Sequence, residues 1–421
     1  MHTRIPSPRR WLLAAGLLLV SGELAAAAEQ AASASGKNGA VATTIPAPRI
    51  FLHDPATLAR KKTRWQAERE AEPPLAHLLD EANQALGEKP FSIVEKSVLP
   101  PSGDKHDYMS LAPYAWPDPR NKPNGLPYVI RDGEINPERD GIADHRSLAR
   151  ICNLAETLGL AYFFSDDEKY ASHAASLLRT FFVAPVTRMN PNLKFAQGIR
   201  GKEPGRPAGI IDAACIPHLI DGVGLLAPSK AWTQSDRQAM DAWFRDYLTW
   251  LRESDLGRKE GRAGNNHGTW YDLQVVSLAL ATGQTELASE SLNFARKRRI
   301  GRQIEPDGQQ PEELHRTRPW HYAAYNLQAM VLLANLGERI GVDLWRYQTP
   351  DGRSIRKAIA WLLPFAVGKT SWSLRDIGGM QIAEFWPVVY EAASVLKDAE
   401  LAAAAAKTSP DREHRLWLLL D

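Results

Sequence analysis

The chain holds 421 residues, with 51 Lys and Arg against 49 Asp and Glu. That balance lacks the basic excess of a nucleic-acid-binding protein, although net charge leaves a local basic cleft open. The length exceeds the usual single core, yet no Pro/Gly/Ser linker or charge block divides the chain.

The first residues read as an export signal. Arg4, Arg9 and Arg10 precede an apolar run from Trp11 to Val20, and the small residues Ala25 to Ala28 follow. The run is too short to span a bilayer. Residues 1–28 are therefore expected to be a signal peptide, cleaved after Ala27 or Ala28. The Arg9-Arg10 pair also fits twin-arginine export. Removing three Arg and one Glu with this segment leaves a neutral mature chain. Residues 29–44, rich in Ala, Ser and Gly, read as a flexible lead-in, and 45–421 as a single domain. No later stretch has the length and apolarity of a transmembrane helix, so a soluble periplasmic or secreted protein is expected.

Helical periodicity dominates the rest. His145–Phe164 is amphipathic, Ser165-Asp166-Asp167 supplies a cap, and Glu168–Phe182 starts a second helix. The same helix–short turn–helix order recurs in Ile211–Leu226 with Thr233–Arg252, and in His267–Ala281 with Thr285–Arg299. Tyr322–Gly337, Ser354–Val367, Ile382–Leu396 and Glu400–Lys407 complete the series. Phe91–Leu99 and Tyr128–Ile130 are the only stretches with an extended character. Antiparallel helix pairs stack around an axis or along one, and no repeat of fixed length supports the second. The expected fold is all-α, an incomplete (α/α) toroid. Cys152 and Cys215 lie in apolar helical patterns, as buried thiols or as a bridge, and point to no chemistry.

Two long non-helical segments interrupt this order, Pro100–Asp140 and Met189–Pro207. Segments of that length inside a compact domain are usually functional. The first carries Tyr114-Ala115-Trp116-Pro117-Asp118-Pro119, a rigid loop whose aromatic faces suit sugar rings or the glue of a lid. The second carries Gln197 and Arg200.

Two polar clusters stand at helix starts. Asn265-Asn266-His267 places an N-cap, an amide and an imidazole where peptide dipoles favour an anion. Arg316-Thr317-Arg318-Pro319-Trp320-His321-Tyr322-Ala323-Ala324-Tyr325 places guanidinium groups before two phenols that share a helical face. Arginine recognises carboxylates bidentately, and a nearby cation eases loss of a phenolic proton. The plain alternative is a capped, salt-bridged core. No metal-binding, phosphate-loop or serine-nucleophile motif is present.

At these residues the chain resembles the alginate-lyase superfamily of polysaccharide lyases. Four ordered stretches carry the likeness: Tyr108-Met109-Ser110 with Tyr114–Pro119, Asn190-Pro191-Asn192 with Gln197, Asn265-Asn266-His267, and Arg318 with Tyr325. The resemblance implies an incomplete α/α toroid, catalytic Asn266, His267, Arg318 and Tyr325, and substrate contact at Gln197. Tyr114, Trp116, Arg200, Arg316 and Tyr322 are further candidates for substrate binding. Ala323-Ala324 and the Tyr-Ala-Trp loop depart from the mannuronate-specific pattern and leave glucuronan open beside alginate.

The implied reaction is β-elimination at a 1,4-linked uronate. Arg318 and Asn266 would hydrogen-bond the carboxylate, Tyr325 or His267 would take the C5 proton, and Tyr325 would protonate O4. The expected partner is an acidic polysaccharide, with no metal or organic cofactor required. Two rivals remain at this point. One is an α/α-barrel glycoside hydrolase using paired carboxylates among Asp140, Asp144, Asp212, Asp307 and Glu313. The other is a non-catalytic glycan-binding helical protein.

Overall fold

The computed structural model describes residues 48–68, 73–408 and 415–419. The expected signal peptide and lead-in lie outside these residues. Residues Pro46–Asp421 form one compact unit.

Helices longer than one turn are α1 Pro55–Glu68, α2 Pro73–Ala85, α3 Asp144–Ser165, α4 Glu168–Leu178, α5 Ile216–Leu225, α6 Gln234–Glu253, α7 Asp255–Glu260, α8 Asn266–Ala281, α9 Thr285–Ala295, α10 Pro319–Arg339, α11 Ile355–Ala366, α12 Trp386–Leu396 and α13 Ala399–Thr408. Their pairwise packing makes the incomplete α/α toroid. α3 lies on α2, α4 and α5, while α8 packs against α5, α6, α9 and α10. α8 is the hub, and 14 of its residues are buried. Helix starts follow the capping chemistry of the sequence. Thr233 and Asp236 form a reciprocal capping box at α6, and the Asn265 side chain accepts from the His267 N–H at α8.

Several boundaries differ from the periodic pattern, each for a local reason. The helix expected from Glu168 widens into a π turn at Arg179–Val183, and the one from Thr285 does the same at Arg296–Ile300. Ile211–Leu226 divides into a 3-10 segment, Pro207–Ala213, and α5, whose first turn holds Pro217. Helices α1 and α2 occupy a region with no expected element. Phe91–Leu99 is a 3-10 turn with flanking loops rather than a strand. By length and hydropathy Pro207–Leu225 matches a spanning helix, contrary to expectation, and 56% of that stretch is buried in the fold. It also carries the buried Asp212 and Asp221, which tie it to neighbouring protein groups.

Four short strands brace the two long loops. β1 Met109–Leu111 pairs in parallel with β4 Phe195–Gly198, and β2 Ala115–Trp116 pairs antiparallel with β3 Val129–Ile130. These pairings hold both polar segments over the start of α8 and the start of α10.

Candidate active site

A cleft of about 470 Å³ opens between the braced loops and the N-terminal ends of α8 and α10. Asn266, His267, Arg316, Tyr322 and Tyr325 line it, with Tyr114 and Asp132 from the first long loop. The sequence brings them together because each sits at a helix start or on a strand-anchored loop.

His267 leads the chemistry. Its Nδ1 lies 2.6 Å from Oε1 of Glu260, a buried carboxylate at the end of α7. A carboxylate accepts only, so in the neutral ring Nδ1 carries the proton and Nε2 the lone pair. Asn266 is fixed by Glu313, which accepts from its backbone N–H at 2.5 Å and from its Nδ2 at 2.7 Å. Burial pushes the Glu313 carboxyl above its ordinary value, against the two Asn266 hydrogen bonds.

Arg316 donates to Asp132 through Nε at 3.1 Å and Nη2 at 2.5 Å, and its Cζ stands 3.7 Å from the Tyr322 ring centroid. The Tyr322 hydroxyl meets the Tyr114 hydroxyl at 2.7 Å. Burial raises the Tyr322 phenol well above its ordinary value, Tyr114 adds to this, and the Arg316 charge opposes it. Tyr322 therefore rests protonated. Tyr325 stacks on His321, at 5.7 Å, and packs at a tilt against Trp270, at 4.6 Å, and burial raises its phenol too.

A second hydrogen-bonded network rests on Asp212. Its carboxylate accepts from Tyr108 at 2.9 Å, Ser110 at 2.6 Å and Gln197 Nε2 at 2.8 Å. Gln197 Oε1 accepts in turn from Arg206 Nη2 at 2.7 Å, and both residues line the cleft. Gln197 holds a left-handed backbone, φ 50°, which orients this relay. His145 also faces the cleft. Burial lowers its pKa, and its Nδ1 stands 3.8 Å from Asp212, too far for a hydrogen bond.

Comparison with known proteins decides the family. The alginate lyase family model matches residues 92–372. This chain belongs to the alginate lyase family. It is a polysaccharide lyase. An alginate lyase from Bacteroides ovatus superposes with a TM-score of 0.83 at 36% identity, over 88% of this chain and 99% of that one. Alginate lyase A1-III from Sphingomonas species A1 shares the fold, with a TM-score of 0.52 at 16% identity over 88% and 97%. A histidine-to-alanine variant of A1-III complexed with tetrasaccharide gives 0.55, again at 16%, over 90% and 97%. No curated protein sequence matches.

Within this lyase, three residues expected at the site stand elsewhere. Arg318 is the residue preceding α10, and its chain turns toward the loops around Gly133 and Gly378, where a Cβ on Gly378 would meet Nε at 2.6 Å. Arg316 takes the cleft position instead, because the turn at 314–318 is pinned by Asp132, which also accepts from Thr317. Trp116 packs beside Arg131 and donates to the Glu134 carbonyl. Arg200 faces another hollow and lies 3.7 Å from Glu138. Gln197 lines the cleft, but its amide is occupied by Asp212 and Arg206.

The lyase's partner groups escaped sequence reasoning. Glu260 lies seven residues before His267, and only the α7–α8 turn brings it back. Asp132, Arg139, His145 and Arg206 carry no motif of their own. Of the hydrolase candidates only Asp212 lines the cleft, and three donors engage it; Glu313 is outside the lining and is held by Asn266, and the other lining carboxylate, Asp132, is held by Arg316. Asp140, Asp144 and Asp307 do not line it. Among the described residues one group has metal-ligand spacing, His53, Glu156 and His218, and it lies outside the cleft. There Glu156 already binds both histidines and Arg415.

Proposed function

We propose that this lyase cleaves a 1,4-linked polyuronate by β-elimination in the cleft between α8 and α10, leaving a 4,5-unsaturated uronate. The observation that carries this reading is the convergence of Asn266, His267, Arg316 and Tyr322 on one cleft whose two lining carboxylates, Asp132 and Asp212, are both engaged. In a uronate the C5 proton becomes removable once the neighbouring carboxylate is held by donors that stabilise the growing negative charge. Asn266 and Arg316 supply those donors. Asp132 fixes Arg316 by two of its nitrogens and leaves Nη1 for the sugar.

Tyr322 is assigned as the acid that protonates O4. Its phenol rests protonated, and Tyr114 is placed to restore the proton after each cut. The base follows from stereochemistry. Where the C5 proton and O4 lie on opposite ring faces, as in guluronate, His267 Nε2 takes the proton while Glu260 holds Nδ1. Where they lie on one face, as in mannuronate and glucuronate, Tyr322 serves both steps from its phenolate form. Its own proton first leaves to solvent, the phenolate favoured by the Arg316 charge takes the C5 proton, and the phenol then returns that proton to O4. Tyr325, with its ring packed between two others, is a wall of the sugar site rather than a proton carrier.

The export-type N-terminus supports a periplasmic or secreted location for this activity. The Bacteroides ovatus relative is described as an alginate lyase, which puts mannuronate and guluronate polymers first among the substrates to test. Incubation with polymannuronate, polyguluronate and glucuronan, followed by ultraviolet absorbance, tests the reading. Absorbance should rise with at least one polymer. Shortened chains without a new double bond would refute it.

A further inference from the structure

Helices α3 and α5 pack along one seam, and contacts recur on it at matched heights. Cys152 meets Cys215, Glu156 accepts from His218 at 2.8 Å, and Gly159 faces Gly222. Positions 152, 156 and 159 share one helical face, as do 218 and 222, with Cys215 just ahead of α5. Both series rise together, so the two helices run in the same direction. The glycines bring the backbones close: a Cβ on Gly159 would fall 2.7 Å from the Gly222 carbonyl oxygen. That approach brings the two sulfurs into contact, Sγ to Sγ 2.7 Å.

The chain has two cysteines, and both are free thiols in this structure. Cys152 is buried, and Cys215 is half-buried. Burial pushes the Cys152 thiol well above its ordinary pKa, and the Cys215 thiol adds to this. Cys152 is therefore shielded from reagents in solvent, and Cys215 is the one sulfur within its reach. A covalent bond of about 2.05 Å asks the pair to close by only about 0.7 Å, within the range of side-chain rotation. The pair also lies beneath the cleft floor. His145 stands two helical turns before Cys152, and Ile211 and Asp212 stand shortly before Cys215. All three of these residues line the cleft.

We propose that under oxidising conditions Cys152 and Cys215 form a disulfide that staples α3 to the segment carrying Asp212. The export-type N-terminus points to a compartment of that kind. The oxidant is a small-molecule disulfide, which the half-buried Cys215 can meet. Cys215 attacks one of its sulfurs, forming a mixed disulfide and releasing one thiol, on which the Cys215 proton ends. Cys152 then displaces the second thiol, which takes the Cys152 proton. Two protein thiols lose two electrons, and one small disulfide becomes two thiols. The staple joins positions 63 residues apart, so it removes much freedom from the unfolded chain. In the folded protein it fixes the floor below the Asp212 network.

The test holds the full chain in an oxidising glutathione buffer, unfolds it without reductant and alkylates whatever thiols remain. Neither cysteine should be alkylated, and the mass should be lower than that of the reduced chain by two hydrogen atoms. Proteolysis should then yield one peptide pair joined through Cys152 and Cys215. Alkylation at either cysteine, or glutathione left on Cys215, would overturn the proposal. Thermal unfolding reads the staple itself. Oxidised wild type should melt about 5 °C or more above reduced wild type. Cys215→Ala cannot close the bond and should melt alike in both buffers. Equal melting of oxidised and reduced wild type would overturn the staple, as would a Cys215→Ala variant that still responds to reductant. If Cys215→Ala does not fold, the alkylation count on wild type carries the test. None of these readouts involves turnover, so the staple and the lyase mechanism can fail separately.

Discussion

Tyr322 and Tyr325 sit one helical turn apart on α10, and the environment of each separates their roles. Tyr322 has a guanidinium over its ring and a phenol at 2.7 Å, while the Tyr325 ring is packed between Trp270 and His321. Tyr322→Phe should therefore lower turnover by about 10²- to 10⁴-fold, the usual worth of a general acid, without loss of the fold. Tyr325→Phe keeps the ring and should stay within about fivefold of wild type. Steady-state rates on a single polymer check both, and the opposite ranking would move the acid to Tyr325. Glu260→Gln removes the negative, acceptor-only partner that sets the His267 tautomer, because an amide can accept from Nδ1 or donate to it. It should cost about tenfold or more on guluronate and much less on mannuronate. The sequence made the Asn-His pair and the tyrosine-bearing helix legible because caps and i, i+3 faces are local features. It named both Arg316 and Arg318 without telling which lines the cleft, since the two flank one turn and only the distant Asp132 holds Arg316 there. Glu260, Asp132 and Arg206 were silent for the same reason: their partners are set by folding, not by spacing.

Helix pairing was legible wherever apolar periodicity was strong, and failed where a helix changes its pitch. The π turns after α4 and α9 keep an apolar pattern running while the hydrogen-bond ladder shifts. The α3–α5 seam shows what such packing demands. Gly159 and Gly222 face each other there, and a Cβ on Gly222 would fall 2.5 Å from the Ala155 carbonyl carbon. Gly222→Ala should destabilise the protein by about 1–3 kcal/mol, as overpacking of backbone against backbone does. Chemical denaturation would measure this, and a neutral effect would mean that the seam is loose. The same seam carries a titrating group. Burial opposes protonation of His218, but the Glu156 carboxylate at 2.8 Å outweighs it and raises the pKa from 6.5 to about 9. A folded pKa above the unfolded one stabilises fully below pH 6.5, and that stability is lost as pH climbs through 9. The melting temperature of wild type should fall across that window, and His218→Gln should flatten the fall. Equal slopes in the two proteins would remove His218 from the alkaline transition.

The molecule as a whole is a ring of helix pairs that holds two strand-braced loops against the N-terminal ends of α8 and α10. The toroid was legible from helix–turn–helix order and from the family resemblance. The cleft was not, because it depends on how loops of distant sequence meet. Every part of the account requires the bond to O4 to break by elimination, with water taking no part. Digestion of polymannuronate or polyguluronate in heavy-oxygen water, followed by mass spectrometry of the oligosaccharides, reads this in one experiment. Elimination predicts that no heavy oxygen enters the bond that is cut and that each cut yields one unsaturated end. One heavy oxygen per cut, with no unsaturation, would show hydrolysis and would contradict the mechanism.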